Sequence, residues 1–297
     1  MNILHDLQWV LPLRSAAGTQ LAMAFSWLGY ATFLMFFMSI GYWVWNKERF
    51  FRLLVVVACN ALLNAYAKDL FQDPRPPLEI RLDDLVGASY GLPSGHAQMA
   101  VALWMWLAWE VRRTWVWWAC SAIALGVMFS RLYLGVHDLE DVLAGALLGV
   151  ASLLVFAWAL RQSSPLHHSL VWQLAAIVGV AIAALLSWPG GQPPDYVPML
   201  AAWLATATAG LHWDRRHTQF AAPSGPARIV AAALLGALLF WGEQKLLKTL
   251  GLQLQWEPTL WSATKGLASG AFVALLVPWV LRTVRLAPAT HRLDSET

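Results

Sequence analysis

The sequence predicts an all-α fold, a polytopic membrane helical bundle with about nine transmembrane helices. Of the 297 residues, 59% are hydrophobic and only 12% are charged, and the mean hydropathy is +0.53. A soluble domain carries about 25% charged residues, so this chain lacks the charge needed to cover a surface that faces water. The composition therefore excludes a disordered protein, a nucleic-acid-binding protein and an ordinary cytosolic enzyme.

The predicted spans follow from the apolar stretches. A span needs about 20 mostly apolar residues, and stretches near that length lie at roughly 21–45, 50–67, 94–110, 114–130, 139–160, 170–188, 197–213, 226–243 and 263–281. The connections are too short for a soluble domain, so all spans form one membrane domain. Within it we expect an interfacial N-terminal segment at 1–20, a core at 21–160 and additional C-terminal helices at 161–297. Residues 3–13 predict a short interfacial helix rather than a signal peptide.

The distribution of basic residues predicts the orientation. With alternating connections, one face of the bundle carries the larger share of Lys and Arg, among them Lys47, Arg215 and Arg292. Several cations of the opposite face belong to polar motifs, which leaves few unassigned ones there. Because Lys and Arg favour the cytoplasmic side, we expect the N-terminus outside and the C-terminus in the cytoplasm.

The polar residues of the non-cytoplasmic face fall into three motifs at the ends of neighbouring predicted spans. They are K-x6-R-P with Lys68 and Arg75, P-S-G-H with Ser94, Gly95 and His96, and S-R-x5-H-x3-D with Arg131, His137 and Asp141. In the predicted topology all three motifs lie at the same membrane depth and on the same side. They therefore form one candidate site.

Five residues of the motifs suit the binding of a phosphoryl group. Lys68, Arg75 and Arg131 supply three cations for charge that is spread over several oxygens. Ser94 and Gly95 come directly before a predicted helix, where backbone N–H groups and a hydroxyl can bind an anion. The three cations can take the place of a metal as the charge clamp, so no metal and no cofactor is expected.

The two histidines suit the chemistry of metal-free phosphoryl transfer, which needs a nucleophile and an acid for the leaving oxygen. His137 and Asp141 are four residues apart, so they share a face if the segment is helical. The carboxylate can then hold the Nδ1 proton and leave Nε2 free to attack. His96 is the second imidazole of the motifs.

These motifs, in this order, resemble the type-2 phosphatidic acid phosphatase superfamily, whose soluble relatives include vanadium haloperoxidases. All eleven specified positions are present, and the motif region runs from Lys68 to Asp141. The resemblance implies a metal-independent phosphatase core with a phosphohistidine at His137, an acid at His96 and an orienting carboxylate at Asp141. It also implies that the phosphate is bound by Lys68, Arg75, Ser94, Gly95 and Arg131. It places the site on the periplasmic face of a bacterial inner membrane.

The motifs leave the substrate open. A lipid phosphate in contact with membrane lipids is the first expectation, because residues 71–92 mix apolar residues such as Leu82 and Leu85 with charged ones such as Asp83, as in an amphipathic lid. The resemblance makes undecaprenyl diphosphate the first expectation, and phosphatidylglycerol phosphate or phosphatidic acid the second. The alternatives are a soluble ester, as in the glucose-6-phosphatase branch, a lipid phosphotransferase and an anion transporter. The oligomeric state is open.

A few further residues carry structural expectations. Asn60 and Asn64 share a face of the second predicted span and are expected to bond to a neighbouring helix. Gly145 and Gly149 predict close helix packing in the fifth span. His167 falls on the predicted cytoplasmic side and is not assigned to the site.

Overall fold

The computed structural model describes residues 4–84, 86–87, 89–164, 166 and 168–288. Leu85 of the predicted lid, His167 and Arg292 lie outside these residues. The regular elements of the described residues are helices, which agrees with the predicted all-α fold.

The longer helices are numbered in chain order. They are α1 (Ala16–Trp27), α2 (Ala31–Val44), α3 (Lys47–Phe71), α4 (Gly95–Ala100, π-helical Val101–Met105 and Trp106–Val111), α5 (Thr114–Tyr133), α6 (Leu139–Arg161), α7 (Leu170–Ser187), α8 (Tyr196–Trp213, followed by π-helical Asp214–Thr218), α9 (Pro226–Leu254) and α10 (Pro258–Thr283, π-helical at Phe272–Leu276). Short 3-10 helices lie at Leu11–Leu13 and Leu78–Ile80.

Side chains fix several of the helix starts. The Ser15 hydroxyl accepts a hydrogen bond from Gly18 N at 3.1 Å and begins α1. Asp138 and Asp141 form a reciprocal capping box at the start of α6, and the Glu257 carboxylate accepts from two backbone N–H groups of α10. Such caps satisfy N–H groups that have no partner within the helix. The box on α6 matters most here, because Asp141 is also a motif residue.

Among the described residues, six helices are long and apolar enough to cross a membrane, namely α3, α5, α6, α7, α9 and α10. The bent pair α1 and α2 makes up to seven, and the chain is a multi-pass membrane protein. A helix lies at each of the nine predicted positions, but α4 and α8 are not among these spans, so the count of nine is not confirmed. The span predicted at 21–45 is not one continuous helix, because α1 and α2 meet at 54°. The break coincides with Gly29, and glycine weakens a helix interior.

The chain forms two compact units. The first unit consists of residues 1–35, 53–163 and 187–193, and it contains every residue of the three motifs. The second unit consists of residues 36–52, 164–186 and 194–297. The division into 1–20, 21–160 and 161–297 stays a prediction.

In the first unit, α4 and α6 pack closely through glycine. A Cβ atom built on Gly145 would lie 2.4 Å from the carbonyl oxygen of Ser94, and one on Gly149 would lie 3.0 Å from that of Gln98. Neither position has room for a larger residue without a shift of backbone. The predicted close packing is therefore confirmed, and it brings the start of α4 against α6.

Polar side chains join α3 to α4. Asn64 Nδ2 donates to Gln98 Oε1 at 2.9 Å and to the carbonyl oxygen of Pro93 at 3.1 Å, and Gln98 Nε2 donates to Asn60 Oδ1 at 2.9 Å. All three side chains are buried. The expected bonding of Asn60 and Asn64 to a neighbouring helix is confirmed, and in apolar surroundings such bonds average about 0.6 kcal/mol each.

The N-terminal segment differs from the prediction. Residues 4–13 form turns and one short 3-10 helix instead of a continuous interfacial helix. Leu7 and Val10 are buried in a cluster with Leu132, Leu134 and Val136. These two side chains are covered by protein, whereas Trp9 and Leu13 are exposed.

Candidate active site

The motif residues lie at the ends of four consecutive long helices of the first unit. Lys68 is in the last turn of α3, Ser94 is the N-cap of α4, and Arg131 is in the last turn of α5. His137 is in the connection that follows α5, and Asp141 is in the first turn of α6. The helix ends alternate between C- and N-termini, so antiparallel neighbours bring the three motifs together.

His137 and Asp141 form the predicted pair. His137 Nδ1 lies 2.8 Å from Asp141 Oδ2, and both side chains are almost fully buried. Burial, reinforced by the positive charges of Arg75 and Lys68, holds the pKa of His137 well below its usual range. The imidazole is therefore neutral at neutral pH, with its proton on Nδ1 facing the carboxylate. The lone pair of Nε2 is then available.

Arg75 faces that lone pair. Its Nη1 lies 2.9 Å from His137 Nε2 and donates to the carbonyl oxygen of Val136 at 2.9 Å, while Nε donates to the carbonyl oxygen of Ser89 at 2.6 Å. Burial and repulsion by Arg131 lower the pKa of Arg75 to about 10. The guanidinium therefore stays positively charged at neutral pH, directly beside the nitrogen that would attack phosphorus.

Lys68 connects the site to the segment between α3 and α4. Its ammonium donates to the carbonyl oxygens of Tyr90 and Gly91, the latter at 3.0 Å. Gly91 lies close to Asp141, since an added Cβ would sit 3.0 Å from the carboxylate. Lys68 is buried and thus holds this segment against the start of α6.

Arg131 is held in a second cluster that the sequence did not indicate. Its Nη1 contacts the hydroxyl of Ser26 and lies 3.1 Å from Asp83 Oδ2. Asp83 Oδ2 also accepts a hydrogen bond of 2.6 Å from the hydroxyl of Tyr30. Ser26 lies in the last turn of α1 and Tyr30 directly precedes α2, so the bend between these helices reaches the site. The glycine inside the apolar run is the one sequence signal that pointed to this bend.

His96 lies beside the same bend. The rings of Tyr30 and His96 meet edge to face with their centroids 4.7 Å apart. A Cβ atom on Gly29 would lie 2.5 Å from His96 Cδ2, so only glycine fits there without a shift of the ring. His96 is therefore fixed by packing against the bend between α1 and α2.

Several buried polar atoms of the motifs have no protein partner among the described residues. They are Ser94 Oγ, His96 Nε2, Arg131 Nε and Asp141 Oδ1. Buried polar atoms are nearly always paired, so each exception calls for an explanation. The first three can donate hydrogen bonds to phosphate oxygens, which are acceptors. The motifs therefore provide unpaired donors, as expected of a site that binds an anion.

The predicted lid between α3 and α4 is folded onto the first unit. Asp83 is buried and ion-paired, and Leu82 N donates to the carbonyl oxygen of Leu134 at 2.9 Å. Ile80 packs against the cluster around Leu134. Other residues of the segment, such as Leu78, are strongly exposed. The lid prediction was wrong for Asp83, because its carboxylate is buried, where it pairs with Arg131 and accepts a hydrogen bond from Tyr30.

The N-terminal segment adds one wall of a cavity. His5 contacts Asp138 at 2.6 Å and Glu140 at 3.1 Å, and the hydrogen bond to Asp138 raises the pKa of His5. The cavity has a volume of about 610 Å³, and its lining includes Arg75 and Ile80. It therefore leads from a mixed polar and apolar surface to a motif residue.

The comparisons with known proteins agree with the motifs. Residues 49–165 match the model of the PAP2 superfamily. The chain is 30% identical to sphingosine-1-phosphate phosphatase 2 of Mus musculus over 46% of this chain and 41% of that protein. It is 29% identical to lipid A 4'-phosphatase of Porphyromonas gingivalis over 40% of this chain and 57% of that protein.

The chain is also similar to solved structures. A PAP2-type phosphatidylglycerolphosphate phosphatase from Bacillus subtilis is 23% identical, covers 53% of this chain and 84% of that one, and gives a TM-score of 0.47. The chain spans 31 to 41% of the length of the mouse and rat sphingosine-1-phosphate phosphatases that it matches. Among the described residues, no group of three or more His, Cys, Asp or Glu is arranged to hold a metal ion.

Proposed function

We propose that the protein is a metal-independent phosphatase that hydrolyses a lipid phosphate or diphosphate through a phosphohistidine. The observation that carries the proposal is the buried His137, with Nδ1 bound to Asp141 and Nε2 facing Arg75. This is the arrangement of a nucleophile that is oriented by a carboxylate and directed at an anion. The match of residues 49–165 to the model of the PAP2 superfamily supports the same reaction.

In the first step, His137 Nε2 attacks phosphorus and the bond from phosphorus to the leaving oxygen breaks. His96 gives its Nε2 proton to that oxygen, so that the lipid leaves as an alcohol or as a monophosphate. Lys68, Arg75 and Arg131 stabilise the charge on the other phosphate oxygens. Ser94 and the backbone of Gly95 add hydrogen bonds at the N-terminus of α4.

In the second step, His96 accepts a proton from water as the water oxygen attacks the phosphohistidine. The bond between phosphorus and His137 Nε2 breaks, and inorganic phosphate leaves. The neutral form of His137 is restored, and Asp141 has kept Nδ1 protonated throughout. The acid of the first step is thus the base of the second, as microscopic reversibility allows.

Undecaprenyl diphosphate is the first substrate to test. The site lies at helix ends, so a phosphate headgroup can reach it while the hydrocarbon chain stays among membrane lipids. Phosphatidylglycerol phosphate and phosphatidic acid are the next candidates. The names of two relatives add lipid phosphates of the sphingoid and lipid A classes. Glucose 6-phosphate tests the soluble-ester alternative, and an added acceptor lipid tests phosphotransfer.

We place the protein in a bacterial inner membrane, with nine spans, the active site on the periplasmic face, the N-terminus outside and the C-terminus in the cytoplasm. The excess of Lys and Arg on the opposite face supports this orientation. The chain of the lipid substrate would then lie in the outer leaflet.

The decisive experiment measures inorganic phosphate released from each lipid by the purified protein in detergent with excess EDTA. The wild type should turn over, and His137→Ala should fall to background while keeping its affinity for inorganic phosphate within about tenfold. Substantial turnover in His137→Ala would contradict the phosphohistidine. Loss of wild-type activity in EDTA, restored by magnesium, would contradict metal independence. Vanadate binding without turnover of any ester would favour an anion transporter.

A further inference from the structure

Asp83 stands outside the three motifs, yet it is one of the most tightly held carboxylates of the first unit. Its side chain and that of Arg131 are each only 1% exposed, and the two lie 3.1 Å apart. A buried ion pair repays the cost of desolvation only with good geometry and additional hydrogen bonds. Asp83 has such bonds, from Tyr30 at 2.6 Å and from Ser26 at 3.3 Å.

We propose that Asp83 is a positioning residue for the phosphoryl-transfer reaction, which fixes the guanidinium of Arg131 and, through Tyr30, the ring of His96. This inference rests on the proposed phosphatase function and adds a residue that the motifs do not contain. It joins the end of α1, the turn into α2 and the segment between α3 and α4 in one supporting layer.

The contacts of Arg131 show how positioning would work. One guanidinium nitrogen, Nη1, is bound to Asp83 and Ser26, while Nε is buried and has no partner among the described residues. Anchoring one edge of the planar group leaves another edge at a fixed angle for phosphate oxygens. A donor that is already oriented needs no reorganisation when charge develops in the transition state.

The contacts of Tyr30 extend the same effect to His96. The tyrosine hydroxyl is bound to Asp83, and its ring lies edge to face with the His96 ring. Asp83 therefore lies in the middle of a short chain of contacts. One end of the chain is the phosphate-binding cation Arg131, and the other end is the acid His96. A small displacement of either group should slow the reaction strongly, since a misplacement of about 1 Å can lower the rate about 100-fold.

The first test compares Asp83→Ala with Asp84→Asn, a matched control at the neighbouring exposed carboxylate. In Asp83→Ala we expect the inhibition constant for vanadate to rise about 100-fold and the KM for the lipid by less than tenfold, because vanadate mimics the transition state. The control should retain both wild-type values. Asp83→Asn, which keeps an acceptor oxygen but loses the charge, should lie in between. An unchanged ratio of the two constants in Asp83→Ala would overturn the proposal.

The second test asks whether Asp83 acts through Arg131. Vanadate binding is measured by thermal shift in Asp83→Ala, Arg131→Ala and the double variant. If Asp83 only orients Arg131, the double variant should bind vanadate no more weakly than Arg131→Ala alone. Fully additive losses would mean that Asp83 supports the fold and not the clamp.

If Asp83→Ala does not fold, Tyr30→Phe provides the test, because it removes only the hydroxyl that donates to Asp83. We expect its dissociation constant for vanadate, measured by thermal shift, to rise about tenfold while its melting temperature without vanadate stays unchanged. An unchanged dissociation constant would contradict the proposal. The binding assay needs no turnover. Failure of wild-type catalysis would therefore refute the proposed function separately from the role of Asp83.

Discussion

The position of His96 suits a general acid, and it depends on contacts with neighbouring residues. Its ring is fixed by Tyr30 and Gly29, and its Nε2 is buried without a protein partner among the described residues. Fixed geometry makes proton transfer to a leaving oxygen efficient, which is worth about 10²–10⁴-fold in rate. The same geometry predicts how a variant of His96 depends on its substrate.

His96→Ala should lose about 100-fold or more in kcat/KM with a lipid phosphate, whose alkoxide leaves poorly without a proton. With para-nitrophenyl phosphate the loss should be at least tenfold smaller, because that leaving group needs little protonation. Phosphate release from both substrates by one preparation gives the comparison, and His137→Ala, inactive on both, is the control. Equal losses on the two substrates would assign His96 to phosphate binding instead.

His137 predicts the acid limb of the pH profile. Burial and the charges of Arg75 and Lys68 lower its pKa, so the nucleophile stays neutral below the ordinary histidine value of about 6.5. The midpoint of the acid limb of kcat/KM should therefore lie below pH 6.5. The limb should move upward in Arg75→Gln, which removes one of the cations. A midpoint at or above pH 7 in the wild type would contradict the assignment.

The lowered pKa of His137 also makes the free energy of unfolding decrease at acidic pH. Below about pH 6.5 the unfolded chain takes up a proton at His137 that the folded protein does not. The contribution of His137 to the free energy of unfolding is therefore complete above that pH and decreases as the pH falls toward the folded-state pKa. Chemical denaturation in detergent at several pH values would follow it.

At the scale of helices, the contact between α4 and α6 decides where the phosphate-binding N-terminus lies. Gly145 lets the carbonyl oxygen of Ser94 approach to a distance that no side chain would tolerate. Ser94 N in turn donates to the carbonyl oxygen of Asp141 at 2.9 Å. The second motif is thus attached directly to the backbone of Asp141 in the third.

Gly145→Ala should therefore lower both stability and activity. Overpacking of this kind costs about 1–3 kcal/mol, and the start of α4 must shift away from Asp141, so we expect kcat to fall at least tenfold. Gly179→Ala in α7 is the matched control, since nothing lies within 4 Å of a Cβ built there. That variant should be neutral or slightly more stable, because alanine favours helix over glycine by about 1 kcal/mol. Melting temperatures and phosphate release would check both, and equal behaviour of the two variants would argue against the close contact.

For the whole molecule, the proposed orientation can be tested by labelling. Cys59 and Cys120 are first replaced, and a single cysteine is introduced at Gln192, between α7 and α8, or at Gln219, after the π-helical end of α8. In intact cells an impermeant thiol reagent should label the first position and spare the second. Labelling of both positions after permeabilisation is the control, and the reverse pattern in intact cells would place the active site in the cytoplasm.

The sequence by itself determined the class of fold and the chemistry of the site. A composition this poor in charge can fold only where lipid solvates its surface, and three motifs with fixed spacing specify which side chains meet a phosphate. His137 and Asp141 were predictable for the same reason, because four residues across a helix start bring the two side chains together. The contacts of Asn60, Asn64 and Gly145 followed from polar or small residues inside apolar helices.

Tertiary structure decided what surrounds the motifs. Asp83 looked like one charge of an amphipathic lid, and only folding of that segment brought it to Arg131. Tyr30 and Gly29 looked like part of one long span, until the bend between α1 and α2 placed them on His96. The physical reason is the range of the interactions. Periodicity and helix ends depend on residues that are neighbours in the sequence. The pairing of a buried charge depends on which distant segment the tertiary fold places beside it.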